Sequence, residues 1–361
     1  SMKKIIGQLK PYVPEEPAES VKARLGVERL VRLSANENPY GTSPKVREAV
    51  LDYVTNNDAN LYPDGNASSL RSVLADYWKV AENQLVIGVG LDEVISMVNK
   101  TFINAGDSIV ISVPAFSEYG LNGLVEGAVI REVPCIEATG QYDFNAMRKA
   151  VDDTTRLVWI CNPNNPTGTY ENVEDIRNFI STLPKDVLVI IDEAYIDFVT
   201  SVEVPTARAL LDEFPNVFIM RTFSKAYGLA NYRVGYMMSS AELANYIQTI
   251  RLPYNLNTLS QVAAEAAFGD REFLRSTIEK NAAERALWEQ TLDEVGGTYY
   301  KSGANFIFMS VPNADSLADE WLAKGYQVRR GQRDNWLRVT LPPASDGAIM
   351  RAILKEYMAR Q

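Results

Sequence analysis

Short apolar runs alternate with amphipathic stretches through residues 34–240 of the chain. Each run is nearly continuous in apolar residues, which is typical of strands buried on both faces of a sheet. The predicted strands are 85–88, 108–113, 129–133, 157–161, 187–191, 217–220 and 233–239. Because helical segments separate them, we predict an α/β fold with a mostly parallel sheet and helices on both faces.

The pattern changes after Ala241, where long amphipathic helices outnumber the strands. The pattern after Ala241 predicts a smaller α+β unit. We therefore expect three parts: an N-terminal arm (residues 1–33), a large domain (34–250) and a small C-terminal domain (251–361). The arm is rich in proline and is expected to contribute to the small domain and to a contact between subunits.

The composition of the chain excludes several kinds of catalytic and metal-binding site. The 361 residues include no histidine and two cysteines, which excludes a Ser-His-Asp triad, a Cys-His pair and a histidine or cysteine zinc site. The net charge of −10 argues against nucleic-acid or anionic-membrane partners. No apolar run is long enough to span a bilayer, and the first residues do not form a signal peptide, so a cytoplasmic location is expected.

Polar residues follow three of the predicted strands directly. Asn165, Asp192 and Lys225 all lie just beyond strand C-termini, at the edge where α/β sheets bind ligands. Lys225 lies among small residues in the segment 222–233. This setting is compatible with a lysine that forms a Schiff base with a carbonyl cofactor, and from this segment alone an ordinary strand-end lysine is the alternative.

A glycine-containing loop, 88–93, joins a predicted strand to a predicted helix. Backbone N–H groups at such a helix start can bind a phosphate. The dinucleotide fingerprint would need a third glycine where Glu93 stands. Taken alone, the loop predicts either a phosphate cradle or a tight turn.

A phosphorylated carbonyl cofactor needs an amine, a carboxylate at its ring nitrogen, a ring-stacking face, hydrogen-bonding partners for the ring oxygen and an anion pocket. The chain offers Lys225 as the amine, Asp192 as the carboxylate and Phe116 as the stacking face. Asn165 and Tyr195 are candidates for the ring oxygen. The candidates for the anion pocket are Leu91, Asp92, Thr222, Ser224 and Arg233.

These motifs, in this order, resemble the fold-type-I pyridoxal-phosphate aminotransferases, and within them the histidinol-phosphate aminotransferases. The resemblance covers nearly the whole chain. Its motifs are Asn36–Gly41, Tyr62-Pro63, Gly88–Glu93, Asn164–Gly168, Asp192–Tyr195, Thr222–Arg233, Asn305-Phe306 and Leu337–Thr340.

The resemblance implies pyridoxal 5′-phosphate as cofactor and a role for each matching residue. Lys225 would bind the cofactor and move the substrate proton, Asp192 would pair with the ring nitrogen, and Tyr195 would bind the ring oxygen. The implied phosphate site contains the backbone at Gly90, Leu91 and Asp92, the side chains of Thr222, Ser224 and Arg233, and Tyr62 from the other subunit of a homodimer. The implied substrate-binding residues are Tyr12, Asn36, Arg329 and Arg338.

The implied reaction is transfer of an amino group from histidinol phosphate to 2-oxoglutarate in histidine biosynthesis. Histidinol phosphate has a phosphate and no carboxylate, whereas glutamate has two carboxylates, and a guanidinium pairs with either anion. Arg330 adjoins Arg329, so the sequence leaves open which of the two faces the substrate.

The chain departs from the family pattern at four places. Phe116 replaces a common tyrosine, Leu91 replaces a small residue, Val89 is unusual in the glycine loop, and Asn231-Tyr232 replaces small or apolar residues before Arg233. Fine specificity is therefore open. The alternatives are an aromatic amino-acid aminotransferase or a phospho-amino-acid decarboxylase on the same scaffold, or a ligand-sensing domain without activity. The sensor reading would need a fused DNA-binding segment, for which the 33 residues before the predicted core leave no room.

Overall fold

The computed structural model describes all residues, 1–361. Its largest sheet has seven strands in the order β2-β8-β7-β6-β5-β3-β4. These strands are β2 (Leu85–Val89), β3 (Ser108–Val113), β4 (Val129–Pro134), β5 (Thr155–Cys161), β6 (Leu188–Asp192), β7 (Val217–Thr222) and β8 (Val234–Met238). All pairs are parallel except the two made by β8, which is antiparallel to both neighbours. The predicted mostly parallel sheet is confirmed.

Both faces of this sheet are covered, as the apolar strands require. Leu157 and Trp159 of β5 belong to one buried cluster, and the alternating Val158 and Ile160 belong to another. The helices of this part are α2 (Pro44–Asn56), α3 (Ser68–Trp78), α4 (Gly90–Phe102), α5 (Ser117–Val125), α6 (Phe144–Ala150), α7 (Val173–Ser181), α8 (Leu210–Glu213), α9 (Ala241–Ile250) and α10 (Thr258–Gly269).

The rest of the chain forms a smaller α+β unit with its own buried cluster of 18 residues. It contains α11 (Arg271–Val295), β9 (Thr298–Tyr299), β10 (Phe306–Ser310), α12 (Ala314–Ala323), β11 (Tyr326–Val328), β12 (Trp336–Thr340) and α13 (Ala344–Ala359). Near the N-terminus, α1 (Ala18–Leu25) precedes β1 (Val31–Leu33), which pairs in parallel with β11. The end of the arm is thus joined to this unit, while the domain boundaries as such stay predictions.

Two helices were not predicted, α1 and α9. Helix α9 begins after Ser240, whose hydroxyl accepts a hydrogen bond from the Leu243 amide as an N-cap. Ala244 and Ile247, three residues apart, are its buried positions. Every helix described above is too short or too polar to span a bilayer.

Candidate active site

A cleft of about 1710 Å³ opens at the carboxyl edge of the large sheet. Segments from the arm, the large sheet and the smaller unit all contribute to its wall. The predicted site residues that line it are Tyr12, Asn36, Leu91, Asp92, Phe116, Asn165, Asp192, Tyr195, Thr222, Ser224, Lys225, Arg233, Arg329 and Arg338. Only Gly90 and Tyr62 of the predicted set are not on this wall.

Lys225 follows β7 and lines the cleft. Its Nζ donates a hydrogen bond to the carbonyl oxygen of Ala35 at 3.0 Å. Burial lowers the pKa of Lys225 to about 8, and the positive charge of Arg338 acts in the same direction. A substantial fraction of this amine is therefore neutral, and so nucleophilic, at mildly alkaline pH.

Asp192 ends β6 and is 4 % exposed. Its Oδ2 accepts a hydrogen bond from the Tyr119 hydroxyl at 2.5 Å, and its Oδ1 accepts one from the Ala194 amide at 3.0 Å. Burial raises the pKa of Asp192 to about 6, against the opposing effect of these hydrogen bonds. Because the carboxylate forms no ion pair within the chain, it is free to pair with a cationic group of a ligand in the cleft.

The start of α4 forms an anion cradle with the segment after β7. No side chain caps the first turn of α4. The Gly90 N–H donates to the Arg233 carbonyl at 3.0 Å, so the amides after Gly90 are the ones open to a ligand. Arg233 lies beside it, with Nη2 3.3 Å from the Asp92 carboxylate. Thr222 and Ser224 line the same wall, and the Thr222 hydroxyl accepts a hydrogen bond from the Ser224 amide at 3.0 Å. Gly90 has a φ of +69°, and a Cβ there would lie 2.7 Å from Arg233 Nη2, so the cradle requires glycine.

Two further predicted residues, Tyr195 and Phe116, line the cleft together with Lys225 and Asp192. Tyr195 is buried, and its hydroxyl accepts a hydrogen bond from Asn36 Nδ2 at 3.1 Å. Burial raises its pKa to about 12, so the phenol keeps its proton at neutral pH. Phe116 immediately precedes α5 and its ring lies in the wall of the cleft. These side chains give the cleft both a flat apolar face and hydroxyl and amide hydrogen-bonding groups.

Arg338 is the buried cation of the cleft, 6 % exposed. Its Nη1 donates to Asn165 Oδ1 at 2.7 Å and its Nη2 to the Ser34 carbonyl at 2.6 Å, while its Nε has no partner. Arg329 pairs with it through the backbone and presents its side chain to the cleft. Arg330 instead forms an ion pair with an aspartate on α12. The structure thus places Arg329, rather than Arg330, on the cleft.

The two predicted tyrosines outside the sheet differ in position. Tyr12 lines the cleft from the arm and is 82 % exposed. Tyr62 is 80 % exposed, lies away from the cleft and stacks on Tyr254 with ring centroids 4.6 Å apart. Its predicted contact with the phosphate of another subunit's site stays a prediction.

Several cleft residues were not predicted. One is Tyr119, whose hydroxyl donates a hydrogen bond to Asp192. The sequence signal for Tyr119 is its position three residues after Phe116, since this spacing places both side chains on one side of a helix start. Glu15 of the arm accepts a hydrogen bond from Ser34 and faces the cleft. No local pattern distinguishes Glu15 from the other acidic residues of the arm, because its place depends on how the arm folds back.

Comparison with known proteins agrees with this geometry. Residues 28–355 match the profile of the family "Aminotransferase class I and II". The chain is 50 % identical over 360 residues to the histidinol-phosphate aminotransferase of Limosilactobacillus fermentum, covering 100 % of both chains. It is 47 % identical to that of Lactiplantibacillus plantarum, covering 99 % of this chain and 100 % of the relative.

Solved structures show the same architecture. The histidinol-phosphate aminotransferase of Sinorhizobium meliloti, solved in complex with pyridoxal-5′-phosphate, superposes with a TM-score of 0.88 at 26 % identity, over 99 % of this chain and 98 % of that one. Thermotoga maritima aspartate aminotransferase shares the fold, with a TM-score of 0.83 at 18 % identity over 99 % and 100 % of the two chains. The chain belongs to the class I and II aminotransferases and, within them, to the histidinol-phosphate aminotransferases.

Proposed function

We propose that this protein uses pyridoxal 5′-phosphate to transfer the amino group of L-histidinol phosphate to 2-oxoglutarate, giving imidazole-acetol phosphate and glutamate in histidine biosynthesis. The observation that supports it most is that one cleft combines a lysine of lowered pKa, a buried carboxylate without an ion pair and an anion cradle. They occur in a chain that matches histidinol-phosphate aminotransferases over its full length.

The residues present fit the cofactor. Asp192 is a buried carboxylate without a cation, which a protonated ring nitrogen would supply. The first turn of α4 and Arg233 form a cradle suited to a phosphate monoester. Lys225 is an amine of lowered pKa on the same wall. When bound, pyridoxal phosphate supplies an aldehyde that reacts with amines and a ring that withdraws electrons from the substrate Cα.

Within this proposal, the chain's side chains position groups and move a proton. Lys225 holds the cofactor in the resting enzyme and, once released, takes the proton from the substrate Cα through its neutral Nζ. Asp192 keeps the ring nitrogen protonated by pairing with it. Asn165 and Tyr195 orient the ring through its oxygen, and Phe116 packs against its face.

Arg338 and Arg329 are proposed to bind the anionic groups of both substrates. A guanidinium forms paired hydrogen bonds with either a carboxylate or a phosphate, so one pair of arginines can serve both half-reactions. Arg338 is already fixed by Asn165 and Ser34, and it has no carboxylate partner in the chain. Its charge is therefore available to a substrate anion.

We propose further that the active unit is a cytoplasmic homodimer in which Tyr62 completes the partner's phosphate site. Its 80 % exposure and its position outside its own cleft are compatible with such a contact. Tyr12 of the arm would cover the bound substrate. Sedimentation of the purified protein tests the dimer, and a monomer with full activity would rule out shared sites.

The test of the function is a single-turnover screen of amino donors. Holoenzyme is mixed with histidinol phosphate, glutamate, phenylalanine or tyrosine, and the change in cofactor absorbance is followed. Histidinol phosphate and glutamate are expected to react with the highest kcat/KM. If phenylalanine or tyrosine reacts as well as histidinol phosphate, the aromatic alternative is supported instead.

A second measurement tests the assigned lysine. Borohydride reduction followed by peptide mass mapping should find the cofactor on Lys225, and Lys225→Ala should carry none. Label on another lysine would overturn the assignment while leaving the donor screen unaffected.

A further inference from the structure

Tyr119 is a buried phenol that the reaction outlined above does not use. It is 2 % exposed and belongs to the first turn of α5. Its ring stacks on Trp159 with centroids 4.6 Å apart and an interplanar angle of 13°. Its other neighbour is Phe116, which it meets edge to face at 5.5 Å. The ring is therefore held between a packing residue and the proposed stacking face.

The hydroxyl of Tyr119 reaches Asp192 Oδ2 at 2.5 Å. Burial raises the pKa of Tyr119 well above its ordinary value, so the phenol remains a donor. The Ala194 amide holds the other carboxylate oxygen. With one donor on each oxygen, the carboxylate cannot rotate, and its remaining lone pairs are left for the cleft.

We infer that Tyr119 is a positioning residue that keeps Asp192 ionised and aimed at the cleft. The inference rests on the proposed function, because Asp192 is the carboxylate assigned to the cofactor ring nitrogen. Without the hydroxyl, Oδ2 would be buried with no donor, and the neutral acid would be favoured. A neutral Asp192 is a poor partner for a ring nitrogen that must stay protonated.

Other titratable groups also face Asp192, and none replaces the phenol. They are Tyr142 before α6, Cys161 at the end of β5, Glu193 and Tyr195 after β6, and Lys225 after β7. Burial raises the pKa of the Cys161 thiol, and Glu193 is already paired with Arg221. Lys225 acts through its charge and not through a hydrogen bond. Tyr119 is thus the side chain that donates a hydrogen bond to Asp192.

The direct test is Tyr119→Phe, which removes one oxygen and keeps the ring. The apoenzyme is labelled with carboxyl-¹³C aspartate, and the Asp192 resonance is identified by its loss in Asp192→Asn. In Tyr119→Phe, the titration midpoint of this resonance should lie about one pH unit or more above that of the wild type, as expected for losing a hydrogen bond to a charged acceptor. Affinity for pyridoxal phosphate at neutral pH should fall about 10- to 100-fold. In the holoenzyme, kcat should fall while KM for histidinol phosphate changes little.

Two controls separate positioning from packing. Trp159→Phe disturbs the stack but leaves the hydroxyl, and it should leave the Asp192 titration midpoint in place. In an Asp192→Asn background, Tyr119→Phe should change cofactor affinity less than about threefold, because no buried charge remains to be held. A purely structural role would give the same loss in both backgrounds.

An unchanged Asp192 midpoint in Tyr119→Phe would overturn the inference, as would equal effects of the two aromatic substitutions. Failure of the proposed function looks different. Wild-type protein would then bind no pyridoxal phosphate, while the titration of Asp192 in the apoenzyme would still report on Tyr119.

Discussion

Arg338 offers the sharpest test of how the cleft selects its substrates. Its guanidinium is buried, forms two hydrogen bonds to neutral oxygens and has no carboxylate partner in the chain. A buried charge without a counter-ion is costly, which fits a role in binding an anion. The change proposed is Arg338→Met, because methionine removes the charge and the donors but keeps an unbranched side chain in the space.

The expected loss follows from the interaction removed. Truncating one partner of a buried, hydrogen-bonded charge pair costs about 2–5 kcal/mol. The rate constant of the half-reaction with glutamate, divided by its KM, should therefore fall by about 30- to 4000-fold. Asn165 and Ser34 lose neutral hydrogen bonds as well, which cost about 1–3 kcal/mol each if no water replaces the donor. Arg338→Met also removes a buried charge that has no counter-ion, and this gain in stability offsets part of that cost.

A second effect has a definite sign. Burial first, and then the positive charge of Arg338, lowers the pKa of Lys225 to about 8. Removing that charge must raise the pKa of Lys225, so a smaller fraction of the amine is neutral at pH 8. In cofactor-free enzyme, the rate at which Lys225 reacts with an amine-selective reagent should therefore reach its half-maximum at a higher pH than in wild type.

The assays are stopped-flow absorbance with glutamate between pH 7 and 9.5, equilibrium binding of the cofactor, and labelling of Lys225 in the apoenzyme. Arg330→Met is the matched control, because Arg330 adjoins the cleft residue Arg329 but does not line the cleft and instead forms an ion pair with Asp319 of α12. The reasoning is refuted if Arg338→Met slows glutamate no more than the control does. A labelling midpoint that stays in place would refute the electrostatic part alone.

Three further predictions concern the cradle, the dimer and stability. Gly90→Ala should weaken cofactor binding at least tenfold in a fluorescence titration, because the added Cβ would press on Arg233. Gly106→Ala is the control: Gly106 also has a positive φ, but a Cβ there would have no atom within 4 Å, so cofactor binding should not change. Mixing Tyr62→Ala subunits with subunits that lack the catalytic lysine should restore activity, since each hybrid dimer then has one complete site; no recovery would refute sharing. Burial raises the pKa of Glu171 from 4.5 to about 7. The protonated carboxyl therefore contributes fully to stability below pH 4.5, and this contribution is lost as the pH rises through 7. In urea titrations, Glu171→Gln should remove up to about 3 kcal/mol of this decline in the free energy of unfolding.

The sheet could be predicted from the sequence because its strands are apolar on both faces. The run Leu157–Cys161 has no polar position, so it fits a buried strand better than a surface helix. Asp192 and Lys225 follow such strands, and parallel strands bring their carboxyl ends to one edge. The amine and the carboxylate of the site were therefore predictable as neighbours.

Interactions between distant segments could not be predicted in this way. Arg338 meets Asn165 across 173 positions and Ser34 across 304. Only the packing of the smaller unit on the sheet brings them together. The lowered pKa of Lys225 has the same origin, because it depends on burial and on a charge from another part of the chain. Residue type suggests these roles, but tertiary contact creates them.

Tyr119 shows an intermediate case. Its spacing from Phe116 placed it on the right side of α5, yet nothing local connects it with Asp192, 73 positions away. Helix α9 was also not predicted. It is short and begins directly after the last strand of the sheet, and Ala244 and Ile247 are its two buried positions. In both cases the missing information was which surface the element packs on.

The absence of histidine gives the pH behaviour of this protein an unusual simplicity. A chain of 361 residues would ordinarily have several imidazoles that titrate near neutrality, and this one has none. Groups whose pKa burial brings into that range therefore dominate it: Asp192 at about 6, Glu171 at about 7 and Lys225 at about 8. Asp192 and Lys225 lie in the cleft, whereas Glu171 is a buried structural residue. Replacing Glu171 should therefore alter the pH dependence of stability but not that of the half-reaction, so the activity profile between pH 6 and 9 reports on the proton state of the site itself.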